Sequence, residues 1–218
     1  MLYACNNIST DSSSNRNPAP FIQNYKNWCW VVAVKLLVLQ HVDPKPCLWD
    51  HFKTLQEHVI APQDSLLGLR TEYAGYQNGL ITVDKWQYKI ATHINPDNIN
   101  LHADDYQKIQ AINWMLNNFT PSNKLSAKNL GYYLSSILWD NLNFISPVLE
   151  AGNYVIGNTV LQPDNKPHNF ILAKHNEHIL LYDPWDGFQT FLSRQQAFLT
   201  GFLCNMGQGV IRWVQYIE

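Results

Sequence analysis

The chain has 218 residues, a net charge of −2 and 46% apolar residues against 15% charged. That length and apolar content suit one folded domain and exclude a chain disordered throughout. No Lys/Arg cluster offers the footprint of a nucleic-acid or anionic-membrane surface, so neither partner is expected.

Leu2-Tyr3-Ala4-Cys5 has the form of a lipoprotein cleavage box, but no apolar segment precedes it and it is set aside. Residues 6–20 are rich in Ser, Asn and Pro and cannot build a core. They predict a flexible arm over residues 1–20, with a single domain over 21–218. Trp28 to about His41 is almost wholly apolar and lacks Gly and Pro, which predicts a buried helix. Asn27 is placed to cap it, and Pro44 and Pro46 stop it. Its apolar run, Trp28–Leu39 broken by Lys35, is shorter than the roughly 20 residues a bilayer requires, and no integral membrane segment is expected.

Apolar residues at 48, 52, 55 and 59 predict a second helix over Leu48–Ile60. His51 and His58 fall on one face of it, which reads as a solvated face. The stretch Leu66–Ile99 is ambiguous and yields one short helix near Asp84–Thr92 among loops. Ala103–Phe119, entered through Asp104 and Asp105, and Lys124–Leu142, weakened at Gly131, predict two more helices.

After Pro147 the pattern changes. Tyr154–Leu161, Asn169–Lys174, His178–Asp183 and Phe188–Leu192 read as strands. A short helix from Ser193 to Phe202 and a last strand over Gly209–Ile217 complete the chain. The fold class is α+β, with a helical part over about 21–146 and an antiparallel sheet over about 147–218.

The four cysteines, Cys5, Cys29, Cys47 and Cys204, are spaced by 24, 18 and 157 residues. That is neither a disulfide framework nor a zinc pattern. Cys29 differs from the others because it opens the apolar helix. Unpaired N–H groups and the helix dipole there favour a thiolate, which is the nucleophilic form. Gln23, six residues upstream, can fold back and share an oxyanion with the Cys29 N–H. A thiolate nucleophile needs a His and an orienting group. His168 opens one predicted strand and Asp183 closes the next, so an antiparallel hairpin brings them together. His175 and His178 fall in or just after the turn. At i,i+3 they would point to opposite sides, so no metal site is expected. Trp30 and Trp185 are candidates to line a substrate groove, and Trp185 is also placed to cover the His–Asp bond.

These residues resemble the papain-like cysteine peptidases. The likeness is closer to the bacterial branch that holds bacteriocin-processing (double-glycine) peptidases and secreted effector proteases. Gln23 and Cys29-Trp30 stand at that family's spacing. Leu149-Glu-Ala-Gly152-Asn-Tyr-Val155-Ile156 is similar to its turn into the first sheet strand, and Asp183-Pro184-Trp185 to its Asp-Pro-Trp ending. His168 lies 139 residues after Cys29, within the family's usual separation of about 130–150. The departures are Pro167 where Gly is usual before the His, Asn27-Trp28 before the nucleophile, and Tyr154 in place of Pro. Residues from about 45 to 145 match nothing in the family.

The resemblance implies an endopeptidase with a Cys29–His168–Asp183 triad, Gln23 in the oxyanion hole, no cofactor, and a protein or peptide substrate. It allows a virulence effector cutting a host protein or an enzyme trimming a leader peptide, and therefore either nonclassical export or a cytoplasmic site. Two alternatives stand beside it. One is acyl transfer at the same triad (transglutaminase, deamidase or isopeptidase). The other is a silent peptide-binding module.

Overall fold

The computed structural model of the chain describes residues 22–42, 73–75, 82–119, 126–131, 154–175, 177–187 and 189–218. The arm over 1–20, the helix over Leu48–Ile60, Cys5, Cys47 and the turn at Leu149–Gly152 lie outside the described residues.

Helix α1 spans Cys29–Val42. From Val31 to Leu39 every apolar side chain in it is at most 1% exposed. A helix apolar on all sides must be surrounded, and this one is. Helices α2 (Lys85–Ile94) and α3 (Asp105–Phe119) pack on it, and a sheet closes the other side. The helix start differs from expectation. The Trp28 N–H donates to the Tyr25 carbonyl at 3.0 Å, and the Val32 N–H to the Trp28 carbonyl at 3.1 Å. Trp28 therefore holds the cap position, and the Asn27 side chain instead donates to the Asn100 carbonyl at 2.8 Å. Helix α3 starts on a reciprocal cap: Asp104 Oδ1 accepts from the Gln107 N–H at 2.8 Å, and Gln107 Oε1 from the Asp104 N–H at 2.9 Å.

A short hairpin, β1 (Tyr73–Gly75) with β2 (Thr82–Asp84), precedes α2 in the stretch read as loops. Strand β3 (Ala127–Gly131) overturns the start of the helix expected over Lys124–Leu142. It pairs along its whole length with the last strand, β10 (Trp213–Ile217). An open sheet edge supplies ladder bonds that outweigh a weak helix propensity ending at Gly131. Strands therefore also occur in the half expected to be helical.

The main sheet is antiparallel throughout, in the order β3-β10-β4-β5-β6-β7. Strands β4 (Val155–Leu161), β5 (Lys166–His175), β6 (His178–Tyr182) and β7 (Gln189–Leu192) form its meander. Alternation sorts two cores. Ile156, Ile171, Ala173, Leu180 and Tyr182 face the helices. Val155, Phe170, Leu172, Leu181 and Val214 face away, under Ala197, Phe198, Phe202 and Ile211. The helix expected from Ser193 is shorter: a π-helical turn covers Gln196–Thr200 and stops at Gly201. Phe202–Cys204 (β8) then pairs with Gly207–Gly209 (β9). The last strand therefore begins at Trp213, not Gly209. At Gly207, φ is +138° and a Cβ would collide with the Gln162 carbonyl oxygen, so only glycine fits.

Strand β5 begins at Lys166, three residues before the expected start at Asn169. Its pairing with β6 stops at Ile171–Tyr182, while its pairing with β4 continues to Lys166. Among the described residues, 166–170 therefore have no strand on one side. That half-open edge tolerates Pro167 within a strand, and it is where the site is built. Among the described residues, no helix is long and apolar enough to cross a membrane.

Candidate active site

Cys29 is the first residue of α1, where a backbone N–H has no intrahelical partner. No hydrogen bond from that N–H occurs among the described residues. The thiol is free and 1% exposed.

The β5–β6 register explains the next pair. Tyr182 sits opposite Ile171, so Asp183 follows opposite Phe170 and His168 lies diagonally, two residues on. Same-face diagonal neighbours are within reach of long side chains. His168 Nε2 and Asp183 Oδ1 are 2.7 Å apart, at 3% and 0% residue exposure. Asp183 Oδ1 also accepts the Trp185 backbone N–H at 2.9 Å, and the Gly187 N–H closes the turn onto the Asp183 carbonyl at 2.9 Å. The edge of the Phe170 ring meets the His168 ring at 4.6 Å. With Nε2 on Asp183, Nδ1 is the nitrogen left for Cys29, whose thiolate favours charge on this imidazole.

Burial alone would push the Cys29 thiol up. The His168 charge, with a smaller contribution from His102, outweighs it and brings the thiol from 9.0 down to about 6. Burial opposes charge on His168, but the neighbouring thiolate and the Asp183 hydrogen bond raise it from 6.5 to about 10. At neutral pH the favoured form is thus thiolate beside imidazolium, the reactive state of a cysteine nucleophile.

Gln23 is tied to this corner, but its amide is engaged. Its backbone N–H donates to the Pro184 carbonyl at 2.8 Å, fixing its loop to the Asp183 turn. Buried Gln87 clamps the same loop, donating to the Ile22 carbonyl at 3.0 Å and accepting the Asn24 N–H at 3.1 Å. Gln23 Nε2 donates to the Tyr25 and Lys26 carbonyls, each at 2.8 Å, while its buried Oε1 has no partner among the described residues. Two carbonyls demand donors, so the amide orientation is fixed. Both N–H groups expected at an oxyanion are spent on the turn that leads into α1. Trp30 is 0% exposed, and its Nε1 donates to the Leu101 carbonyl at 3.1 Å. Trp185 is 38% exposed and supports Asp183 through its backbone.

Two neighbours of the thiol escaped the sequence reading. His102 is exposed and is among the groups that favour the Cys29 thiolate. Asn169, one residue after His168, has its Oδ1 3.9 Å from the sulfur. Behind Asn169 runs a buried polar chain. Asn169 Nδ2 donates to Asn158 Oδ1 at 2.5 Å, and that oxygen also accepts from Lys108 Nζ. Lys108, 4% exposed, pairs with Asp105 Oδ1 at 2.9 Å, and Asp105 holds Trp213 Nε1 at 3.0 Å and Gln215 Nε2 at 3.2 Å. Burial lowers Lys108 while the Asp105 charge opposes that. The amphipathic spacing of α3 gave one usable signal, a lysine on the face that carries Ala111, Ile112 and Met115. Nothing in the sequence marks His102.

Asn158→Leu should cost about 3 kcal/mol, because it strips a partner from a buried cation. Adding Lys108→Met should recover part of that loss, since the cation that lost a partner goes with it while Asp105 keeps its Trp213 and Gln215 donors. Urea denaturation midpoints of the two variants check both steps; a double variant no more stable than the single one would refute the account.

His175 and His178 are backbone register partners directly across the β5–β6 hairpin. Among the described residues, no group of three or more His, Cys, Asp or Glu is arranged to hold a metal ion. Cys204 is free, half-buried and pushed up by burial. A cavity of about 360 Å³ is lined by Trp86, Lys89, Thr92, His93, Trp114 and Asn118, none of which belongs to the Cys29 site. No family model matches the chain, and no curated protein matches it.

Proposed function

We propose that the chain is a cysteine peptidase of papain-like type, with Cys29 as nucleophile, His168 as acid and base, and Asp183 as orienting carboxylate. The observation that carries this reading is the buried 2.7 Å His168–Asp183 contact beside a thiol at the first position of a helix. Cys29 thiolate attacks the scissile carbonyl carbon. The oxyanion meets the unpaired Cys29 N–H, joined by a Gln23 N–H if that amide gives up one turn carbonyl. His168 imidazolium passes its proton to the leaving amine, the C–N bond breaks, and a thioester remains. Neutral His168 then takes a proton from water, the hydroxyl adds, and the C–S bond breaks to restore thiolate and imidazolium. The substrate class is a protein or peptide chain, and the site calls for no metal or organic cofactor in this sequence.

Incubation of the wild type and Cys29→Ala with a peptide library, followed by mass spectrometry, tests the reading. New peptide ends made by the wild type alone support it. A mass change on Gln or Lys side chains instead assigns acyl transfer to the same triad. Neither product, together with a thiol that alkylates no faster than Cys204, refutes it in favour of peptide binding.

A further inference from the structure

A nucleophile that is 1% exposed must be reached by something much larger than water. Three side chains bear on its sulfur: Asn169, whose Oδ1 lies 3.9 Å from it, and His168 and His102, which favour its thiolate form. His168 and Asn169 are buried, at 3% and 6% exposure, and belong to the sheet. His102 alone of the three is exposed.

The loop that carries His102 is not a loose one. Three consecutive carbonyls in it are held by side chains that flank the nucleophile. Trp28 Nε1 donates to the Ile99 carbonyl at 2.6 Å, Asn27 Nδ2 to the Asn100 carbonyl at 2.8 Å, and Trp30 Nε1 to the Leu101 carbonyl at 3.1 Å. Two residues beyond His102, the reciprocal Asp104–Gln107 cap fixes the start of α3. His102 thus stands between two anchored points, next to the carbonyls held by the side chains that flank Cys29, and it favours the thiolate there. The Trp-Cys-Trp sequence gains a purpose from this arrangement: each indole beside Cys29 is buried and uses its N–H to hold the loop over the sulfur.

We propose that His102 is the specificity-determining wall of the site, the side chain that an approaching acyl group must pass to reach Cys29, and that it screens approaching groups by width. The inference rests on the nucleophile reading of Cys29 and adds the residue that governs access to it. His102 takes no part in the proton transfers, which belong to His168.

The experiment compares two electrophiles with the same warhead, iodoacetamide and N-benzyl iodoacetamide, on the full-length protein at pH 8. The ratio of their second-order rate constants at Cys29 cancels the thiolate fraction and reports width alone. His102→Ala and His102→Ser should each raise the benzyl-to-parent ratio about tenfold, while His102→Gln, which keeps most of the bulk, should leave it near the wild-type value. Cysteine reactivity appearing only in the Ala and Ser variants would also support the wall. A ratio unchanged within about twofold in both small variants, or a thiol equally inert in all four proteins, overturns it. Failure of the underlying nucleophile reading is distinguishable: Cys29 would then alkylate no faster than Cys204, whether or not His168 is present.

Discussion

Replacing His168 by Ala should move the pH midpoint of Cys29 alkylation from about 6 to above the ordinary thiol value of 9.0. The sign follows from the forces on the sulfur. Burial is the largest of them and favours the neutral thiol; the His168 charge is the largest opposing one. With the imidazole gone, burial is left against His102 and the more distant Lys108 cation, while the Asp183 carboxylate behind the gap repels the thiolate further. At pH 7 the thiolate fraction should fall roughly a hundredfold, and the alkylation rate should fall by a similar factor. Wild-type labelling should rise as the pH passes through about 6 and then level off. Rate profiles with iodoacetamide, mapped to Cys29 by peptide mass, measure this directly. A midpoint that stays put in His168→Ala would mean that the thiol is acidified by something other than this imidazole.

How legible this corner was depends on how local its causes are. The His168–Asp183 contact follows from a short hairpin: two apolar strands and a tight turn fix the register, and the register fixes the diagonal. A reader of the sequence needs only period two and a turn length to foresee it. The thiol's position at a helix start was equally local, but its acidity comes from His168 and His102, both distant in sequence. What the sequence did not show was how other side chains are engaged, by near or by distant partners. The Trp30 N–H is held by the Leu101 carbonyl, 71 residues on. Gln23 stands at the right spacing, but two carbonyls of its own turn take both donors. Strand β3 forms because β10, some 86 residues later, leaves an edge that Ala127–Gly131 can cover.

The same distinction separates the two halves of the site. The sheet side is built by register and is redundant: Asn169 and Asn158, paired across β4 and β5, continue the ladder's order into a polar chain that ends on Lys108. The helix side is built by single side-chain bonds to loop carbonyls, each of which can be lost alone. Substitutions on the helix side should therefore alter access and oxyanion geometry while leaving the fold intact. Substitutions along the sheet-side chain should first appear as lost stability.

Asp183→Ala should reduce turnover of any peptide found in the library screen by roughly 10²–10⁴-fold, whereas Asp183→Asn should retain much of it and shift its pH profile. Asp183 is 0% exposed; its Oδ1 holds both His168 Nε2 and the Trp185 N–H, while its buried Oδ2 has no partner among the described residues. Alanine removes the acceptor that aims the ring, frees the 185 turn, and leaves Nε2 without a partner in a dry site. Asparagine keeps one acceptor oxygen for both bonds and places its NH₂ where Oδ2 had no contact to lose, so the aim survives and only the charge goes. The charge matters because the Asp183 carboxylate is among the groups that hold His168 up at about 10. Without it the imidazolium loses its proton at lower pH, and the alkaline limb of the activity profile should move down while the acid limb, set by Cys29, stays near its place. A histidine NMR titration reports the same shift without any substrate. Equal losses in the Ala and Asn variants, with the His168 titration unmoved in both, would show that the carboxylate orders the turn and does not serve the imidazole.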